Sequence, residues 1–432
     1  MELSSWGNYP RVEAERVAFR GTDTLRTALD ERAELIARGN GRSYGDSALS
    51  DTVVDVRPQD LFLRFDAKSG LLRVQAGALL AEILDTFVPR GWFLKVTPGT
   101  KLITVGGAIA SDVHGKNHHV GGCFSECVTG LRLMLANGEV MSCSKDVNTE
   151  MFRATCGGMG LTGVILDADI ELQKIGSAKI GQTTVKTSSL EETFATFERY
   201  EKERFSVAWI DSLATGKGLG RGVFMAGDFL DDGDFTYDAP RKLTVPFHLP
   251  SFAINRLGIG LFNKLYYAKT QSGESRQTVD IDTFFYPLDA IGHWNRIYGR
   301  NGFQQYQFVL PKASSLDGLR EVLSTVARSG PGSFLSVLKL CGPANENYLS
   351  FPLEGYSLAM DFKMSRRLPA HLDELDTIVA RHGGRLYLTK DARVSRAMFE
   401  TGYPHIETFR ALRRQHGMDN KFQSLQSRRL GL

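Results

Sequence analysis

Val105-Gly-Gly-Ala-Ile-Ala-Ser-Asp-Val-His-Gly-Lys-Asn-His-His119 gathers two adjacent glycines, a third glycine, three histidines and a lysine in one short run. A residue without a Cβ lets the backbone approach a ligand closely, and successive N–H groups can cup an anion. Gly106 and Gly107 are candidates for that approach, with His114 and Lys116 beside them. The pattern predicts a pyrophosphate-bearing cofactor with chemistry next to it. Gly39-Asn-Gly-Arg-Ser-Tyr-Gly-Asp46 and Gly157-Gly-Met-Gly-Leu-Thr-Gly163 have the same character. Neither carries the Gly-Lys-Ser/Thr of a Walker loop or opens a Rossmann helix. Three such segments exceed what turns require and suit an extended dinucleotide lying across a sheet.

The five cysteines, Cys123, Cys127, Cys143, Cys156 and Cys341, are odd in number and read as free thiols. Cys123 and Cys127 lie near His118 and His119, but the two-plus-two spacing of a structural zinc site is absent. No metal is expected. His118 and His119 read best as satisfying local hydrogen bonds.

These residues need a scaffold. A chain of 432 residues allows two or three domains of roughly 150 residues each. A net charge of +3 is too mild to argue for nucleic acid. The start, Met1-Glu-Leu-Ser-Ser-Trp-Gly7, has no signal-peptide pattern, and no apolar run reaches the roughly 18 residues of a span. The expectation is a cytoplasmic protein. Residues 245–264 are apolar, lightly charged and broken by Gly and Pro, which suits either a lid or a loop wedged against the core. With neighbouring lysines, this segment could also give peripheral contact with the inner face of the plasma membrane.

Strands are expected at 52–56, 71–75, 128–136 and 164–172, with a helix over 78–88. Asn137-Gly138 reads as a two-residue hairpin turn with both positions at positive φ. From residue 177 the pattern becomes α+β. Strands are expected at 183–186, 205–211, 306–310, 334–339, 356–362 and 385–388, and helices at 190–204, 315–329 and 368–382. Residues 212–280 read as irregular, and the tail from 392 as helical and basic. A sheet with helices on one side follows.

The motifs Gly39–Asp46, Pro98-Gly-Thr, Gly106-Gly-Ala-Ile-Ala, His114-Gly and Gly157-Gly-Met-Gly-Leu-Thr-Gly-Val resemble the PCMH-type FAD-binding domain of the vanillyl-alcohol oxidase superfamily. Within it, His114–His119, Trp294-Asn-Arg-Ile-Tyr-Gly, Gln305-Tyr-Gln-Phe-Val and Gly384-Arg-Leu-Tyr-Leu-Thr-Lys-Asp391 resemble the decaprenylphosphoryl-ribose oxidase family, over nearly the whole chain. The resemblance implies an FAD domain from residues 1–176 completed by 385–432, and an α+β substrate domain, an antiparallel sheet flanked by helices, over 177–384. It implies oxidation of the 2′-hydroxyl of a polyprenyl-phosphoryl ribose, with an NAD(P)H-dependent keto-reductase as partner, toward the arabinose epimer. A soluble alditol or aldonolactone oxidase using oxygen is the alternative.

The resemblance also assigns roles. Lys390 and His114 become catalytic candidates, as base or hydrogen-bond partner. Gln305, Gln307, Lys339, Phe285, Ala359 and Trp294 become substrate contacts. The cofactor set is Gly39, Asn40, Gly41, Arg42, Ser43, Tyr44, Gly45, Thr100, Gly106, Gly107, Ala110, Ser111, His114, Gly115, Asn117, Gly158, Gly160, Leu161, Gly163, Val164 and Tyr387. Arg42 stands where related aldonolactone oxidases carry the histidine that bonds covalently to flavin, so non-covalent FAD is expected. Ala359 replaces the family's pocket cysteine and Phe285 its pocket tyrosine, which leaves no thiol there to attack.

Overall fold

The computed structural model describes residues 1–19, 21–238, 243–250 and 254–432. Near its start, Thr52–Asp55 pairs in parallel with Glu15–Ala18 on one side and Ile36–Arg38 on the other. Consecutive Val53 and Val54 are both fully buried, as in a parallel strand covered on two faces. A second, antiparallel sheet runs Val140–Cys143, Val128–Met134, Val164–Lys174, Leu71–Gln75, Phe62–Asp66, and Trp92–Leu94 pairs with the far end of Val164–Lys174.

The hairpin at Asn137-Gly138 forms, but with a different turn from the one expected. Gly138 donates its N–H to the Leu135 carbonyl at 3.0 Å, so Ala136 and Asn137 are the central residues. Gly138 takes φ 78° while Asn137 is not at positive φ. Glycine serves as the residue closing the turn, the longer-loop solution to the same twist.

The second half is an eight-stranded antiparallel sheet in the order Glu274–Asp280, Lys179–Thr187, Gly222–Phe229, Phe205–Ile210, Ser336–Cys341, Gly355–Lys363, Phe303–Pro311, Arg385–Leu386. Successive strand residues point to opposite faces. In Gly355–Lys363 the buried apolar residues are Tyr356, Leu358, Met360 and Phe362. Tyr356 stacks on Phe194 of helix Leu190–Arg199, and Phe362 meets His371 of helix Leu368–Arg381 edge-on. Helix Lys312–Ser329 packs beside them. The three helices cover one face, leaving the other for a site.

Residues 212–280 are more ordered than expected: they include strands Gly222–Phe229 and Glu274–Asp280 and helix Arg256–Lys269. The glycines that made 256–269 look broken, Gly258 and Gly260, sit within this helix, whose Asn255 cap accepts from the Gly258 N–H at 2.9 Å. Part of the 245–264 run, residues 251–253, lies outside the described residues. The strand expected at 385–388 stops at Leu386 and passes into a short 3₁₀ turn, Leu388–Lys390. The C-terminal helices fold back on the first half. Arg413, fully buried, donates to the Leu161, Met418 and Phe422 carbonyls, and the Leu35 N–H donates to the Lys421 carbonyl at 2.9 Å.

Candidate functional site

A cavity of about 370 Å³ lies between the Gly-rich loops of the first half and the open face of the large sheet. That is within the roughly 300–1,000 Å³ of ligand pockets. The sheet contributes alternate residues from neighbouring strands: Val207 and Trp209, Val337 and Lys339, Ala359, and Gln305 with Gln307. The register explains why they meet. Trp209 lies opposite Val337, Val337 opposite Ala359, and Ala359 opposite Gln307, so one row crosses four strands.

The opposite wall comes from loops and the short helix Val105–Ala110. Gly39, Asn40, Gly41, Arg42, Ser43, Tyr44, Thr100, Gly106, Gly107, Ala110, Ser111, His114, Gly115, Gly160, Gly163 and Tyr387 all line the cavity, with Phe285, Trp294 and Lys390. Five expected residues do not. Gly45 packs against Asp391, where a Cβ would come within 1.7 Å of the carbonyl oxygen. Asn117 donates to the Lys95 carbonyl at 2.8 Å. Gly158 lies against the Ala154 carbonyl, and Leu161 and Val164 point into the core. The side that each of these residues faces depends on turns the sequence does not declare. Trp6, Trp209, Met225, Tyr266, Val337 and Thr389 also line the cavity and were missed. Period-2 alternation could have found Val337, two residues from Lys339 on one strand.

The loops do not share the work equally. Gly106 donates its N–H to Ala76 and Gly107 to the Thr104 hydroxyl, so neither is left for an anion. Gly106 is needed for close packing, since a Cβ there would stand 3.0 Å from that of Ala76. By contrast, the N–H groups of Asn40, Gly41, Arg42 and Ser43 have no acceptor among the described residues. Arg38 holds this loop by donating to Ala48 at 3.0 Å and Ser4 at 2.7 Å, and Gly41 takes φ 61°. Four successive unpaired N–H groups beside a cleft fit the pyrophosphate of a dinucleotide. The residues present therefore suit FAD.

Electrostatically the cavity is cationic. Lys390, on its 3₁₀ turn, places its ammonium 3.8 Å from the centre of the Tyr44 ring. Burial brings its pKa down to about 7, against the pull of Asp361. Asp361 is itself pushed up to about 7 by burial; it accepts from Gln305 at 2.6 Å and from Tyr298 at 3.4 Å. Burial, with help from Lys339, His118 and Lys390, holds His114 well below the usual imidazole value, so its ring is neutral. Gln307 donates to His114 Nε2 at 3.1 Å, which leaves the ring proton on Nδ1, a buried atom with no partner among the described residues. Arg42 lies 3.9 Å over the Trp6 ring. His118 Nδ1 accepts from the Gly342 N–H at 3.0 Å and His119 Nε2 bonds the Glu203 carbonyl at 2.8 Å, the local role expected of both.

Residues 22–144 match the FAD binding domain family. Over its whole length the chain is 36% identical to decaprenylphosphoryl-β-D-ribose oxidase of Mycolicibacterium smegmatis, covering 97% of that protein. The chain belongs to the decaprenylphosphoryl-β-D-ribose oxidase family. An uncharacterised protein of Streptomyces coelicolor is 30% identical over 82% of this chain and 100% of its own length. L-gulonolactone oxidase of Bos taurus is 29% identical, over only 43% of this chain and 42% of its own. As a member of the decaprenylphosphoryl-β-D-ribose oxidase family, the chain is an FAD-dependent oxidoreductase.

Proposed function

We propose that this protein oxidises the 2′-hydroxyl of a polyprenyl-phosphoryl-β-D-ribose to the 2′-keto sugar. A separate NAD(P)H-dependent reductase would then complete epimerisation to the arabinose donor. The observation that carries this reading is the meeting of Lys390, neutral His114, Gln305 and Gln307 in one cleft beside a dinucleotide cradle. We further assign residues 1–176 with 385–432 to cofactor binding and 177–384 to substrate binding.

Bound flavin supplies the hydride acceptor. Lys390, poised near neutrality, takes the proton of the 2′-hydroxyl at Nζ, since a general base works best with a pKa near the operating pH. His114 Nδ1–H donates to a sugar oxygen, its tautomer set by Gln307. Gln305 is oriented by Asp361 toward the remaining hydroxyls. Val337, Ala359, Phe285 and Trp209 give the cavity apolar walls that limit water.

Arg42 in the cradle offers no group for a covalent flavin bond, so FAD is held non-covalently. Acid precipitation should release the yellow colour into solution, and colour retained on the pellet would contradict this. No helix among the described residues is long and apolar enough to cross a membrane. A lipid-linked substrate is reached instead by peripheral contact, for which helix Arg256–Lys269 offers exposed Leu257, Leu261 and Leu265 on one stripe while Tyr266 lines the cavity.

The deciding experiment mixes the oxidised protein anaerobically with farnesylphosphoryl-β-D-ribose and follows flavin absorbance. Bleaching is expected. Bleaching by ribitol or L-gulono-1,4-lactone, with none by the phosphoryl ribose, would favour the alditol or aldonolactone reading, which rests on the half-chain likeness to L-gulonolactone oxidase.

A further inference from the structure

Two ammonium groups in the cavity have no counter-ion among the described residues. Lys339 lies on strand Ser336–Cys341, on the face that also presents Val337 to the cavity. Lys116 comes from the Gly-rich segment of the other wall, where its carbonyl accepts the Ser206 N–H at 2.9 Å. Its ammonium stands 4.3 Å from the centre of the Phe284 ring and donates to the Phe284 carbonyl. Among the described residues neither lysine forms an ion pair. The acids of this region are engaged elsewhere: Asp289, which lines the cavity, with the Thr100 hydroxyl and the Lys101 N–H, Asp361 with Gln305 and Tyr298, and Asp112 with Ser125, Asn345, Asn347 and Ser350. Both lysines are drawn below the ordinary ammonium value, mainly by burial, and the charge on Lys339 further lowers Lys116.

Two like charges half-buried in one cavity oppose each other and lose hydration. Such a pair keeps both charges at little cost only when a ligand brings the missing negative charge. A neutral sugar cannot do so. A phosphodiester can, because its two unesterified oxygens share one charge and offer an acceptor to each ammonium.

We propose that Lys116 and Lys339 form the subsite for the phosphodiester that links sugar to lipid, gripping it from the two walls of the cleft. This rests on the function proposed above. The cofactor's own pyrophosphate is a second source of the same chemistry, but the unpaired N–H groups of Asn40–Ser43 already fit it.

The test titrates the yellow holoprotein with farnesylphosphoryl-2-deoxyribose, which has no 2′-hydroxyl to oxidise, and with neutral farnesyl 2-deoxyriboside, reading the shift in flavin absorbance. The wild type should bind the phosphodiester at least about tenfold more tightly, or about 1.4 kcal/mol. Lys339→Met and Lys116→Met should each cut that preference to about twofold, with FAD content and the neutral ligand's affinity unchanged, and Lys339→Arg should keep it. A preference intact in both methionine variants overturns the subsite, as does loss of FAD from either. Bleaching by farnesylphosphoryl ribose in the same wild-type preparation separates the outcomes. If it bleaches and the preference survives substitution, the subsite fails alone. If it does not bleach, the proposed function fails first.

Discussion

The Lys390 ammonium lies 3.8 Å from the centre of the Tyr44 ring, and Tyr44 is anchored by the Ser5 hydroxyl donating to its carbonyl at 2.9 Å. The ring face favours the cation, but burial outweighs it and leaves the amine titrating at about 7. An amine so placed can act as a base or as a fixed positive charge. Lys390→Arg separates the two, since arginine keeps the charge and cannot give it up. Lys390→Ala and Lys390→Arg should both slow substrate-driven flavin bleaching by roughly 10²–10⁴-fold, with FAD still bound. An arginine variant as fast as wild type would show that charge alone is needed.

A base and a cation that both titrate at about 7 give a distinct pH profile. Lys390 must be neutral, and it faces Asp361, Lys339 and the Tyr44 ring. Lys116 must be charged to hold an anion, and it faces Lys339 and the Phe284 ring. Below 7, Lys390 gains a proton and the rate falls; above 7, Lys116 loses one and binding falls. Because kcat/KM reports groups of the free enzyme, it should peak near pH 7 and drop about tenfold per unit well beyond each limb. Lys116→Met should remove the alkaline fall of kcat/KM and leave the acid limb. Initial bleaching rates between pH 5.5 and 9 at subsaturating substrate measure this, and a flat profile would contradict both assignments.

The cofactor half was readable because its chemistry is local. A glycine loop that cradles phosphate needs its glycines at fixed places, so Gly39–Ser43 stands out in any context. The sheet-lined side of the cavity was harder. Gln305, Gln307 and Lys339 are brought together by pairing between strands far apart in sequence, with Lys390 on the turn after a further strand, and periodicity says nothing about which strands become neighbours. They were found through a family likeness. Trp209, Val337 and Tyr266 carry no chemical signal and were not found. The helix at 256–269 was missed for a related reason. Gly258 and Gly260 lower its intrinsic propensity by about 1 kcal/mol each, yet its Asn255 cap and buried Ile259 and Asn263 hold it in place.

Asp112 couples the two halves away from the chemistry. Its carboxylate is fully buried and accepts from the Ser125 N–H at 3.0 Å, Asn345 at 2.8 Å, Asn347 at 2.9 Å and Ser350 at 2.7 Å. It follows the helix Val105–Ala110, while three of its donors belong to residues 345–350 of the other half. Removing it leaves the buried Ser125 N–H and Ser350 hydroxyl without this acceptor, at roughly 1–3 kcal/mol for each that water cannot reach, while the half-buried Asn345 and Asn347 keep the Ser125 hydroxyl. Asp112→Ala should therefore lose on the order of 3 kcal/mol of stability, read as a lower thermal midpoint. An unchanged midpoint would mean that the two segments are held together by other contacts.

Helix Arg256–Lys269 faces two ways. Asn263 is fully buried and donates to Asp211 at 2.9 Å, and Tyr266 lines the cavity. Leu257, Leu261 and Leu265, one turn apart, are 86%, 60% and 61% exposed. Spacing by four puts them on a single stripe, and Leu243 and Phe247 are also exposed, on the segment before the helix. A water-facing stripe of leucines is unfavourable unless something apolar covers it, and a bilayer holding the substrate's lipid would do so. Replacing the three leucines with serine should abolish co-sedimentation with liposomes of anionic phospholipid, while the rate with farnesylphosphoryl ribose in free solution stays within about twofold. The two readouts matter together. A variant that loses soluble turnover as well would mark the stripe as part of the catalytic scaffold, and one that still sediments would place the membrane contact elsewhere.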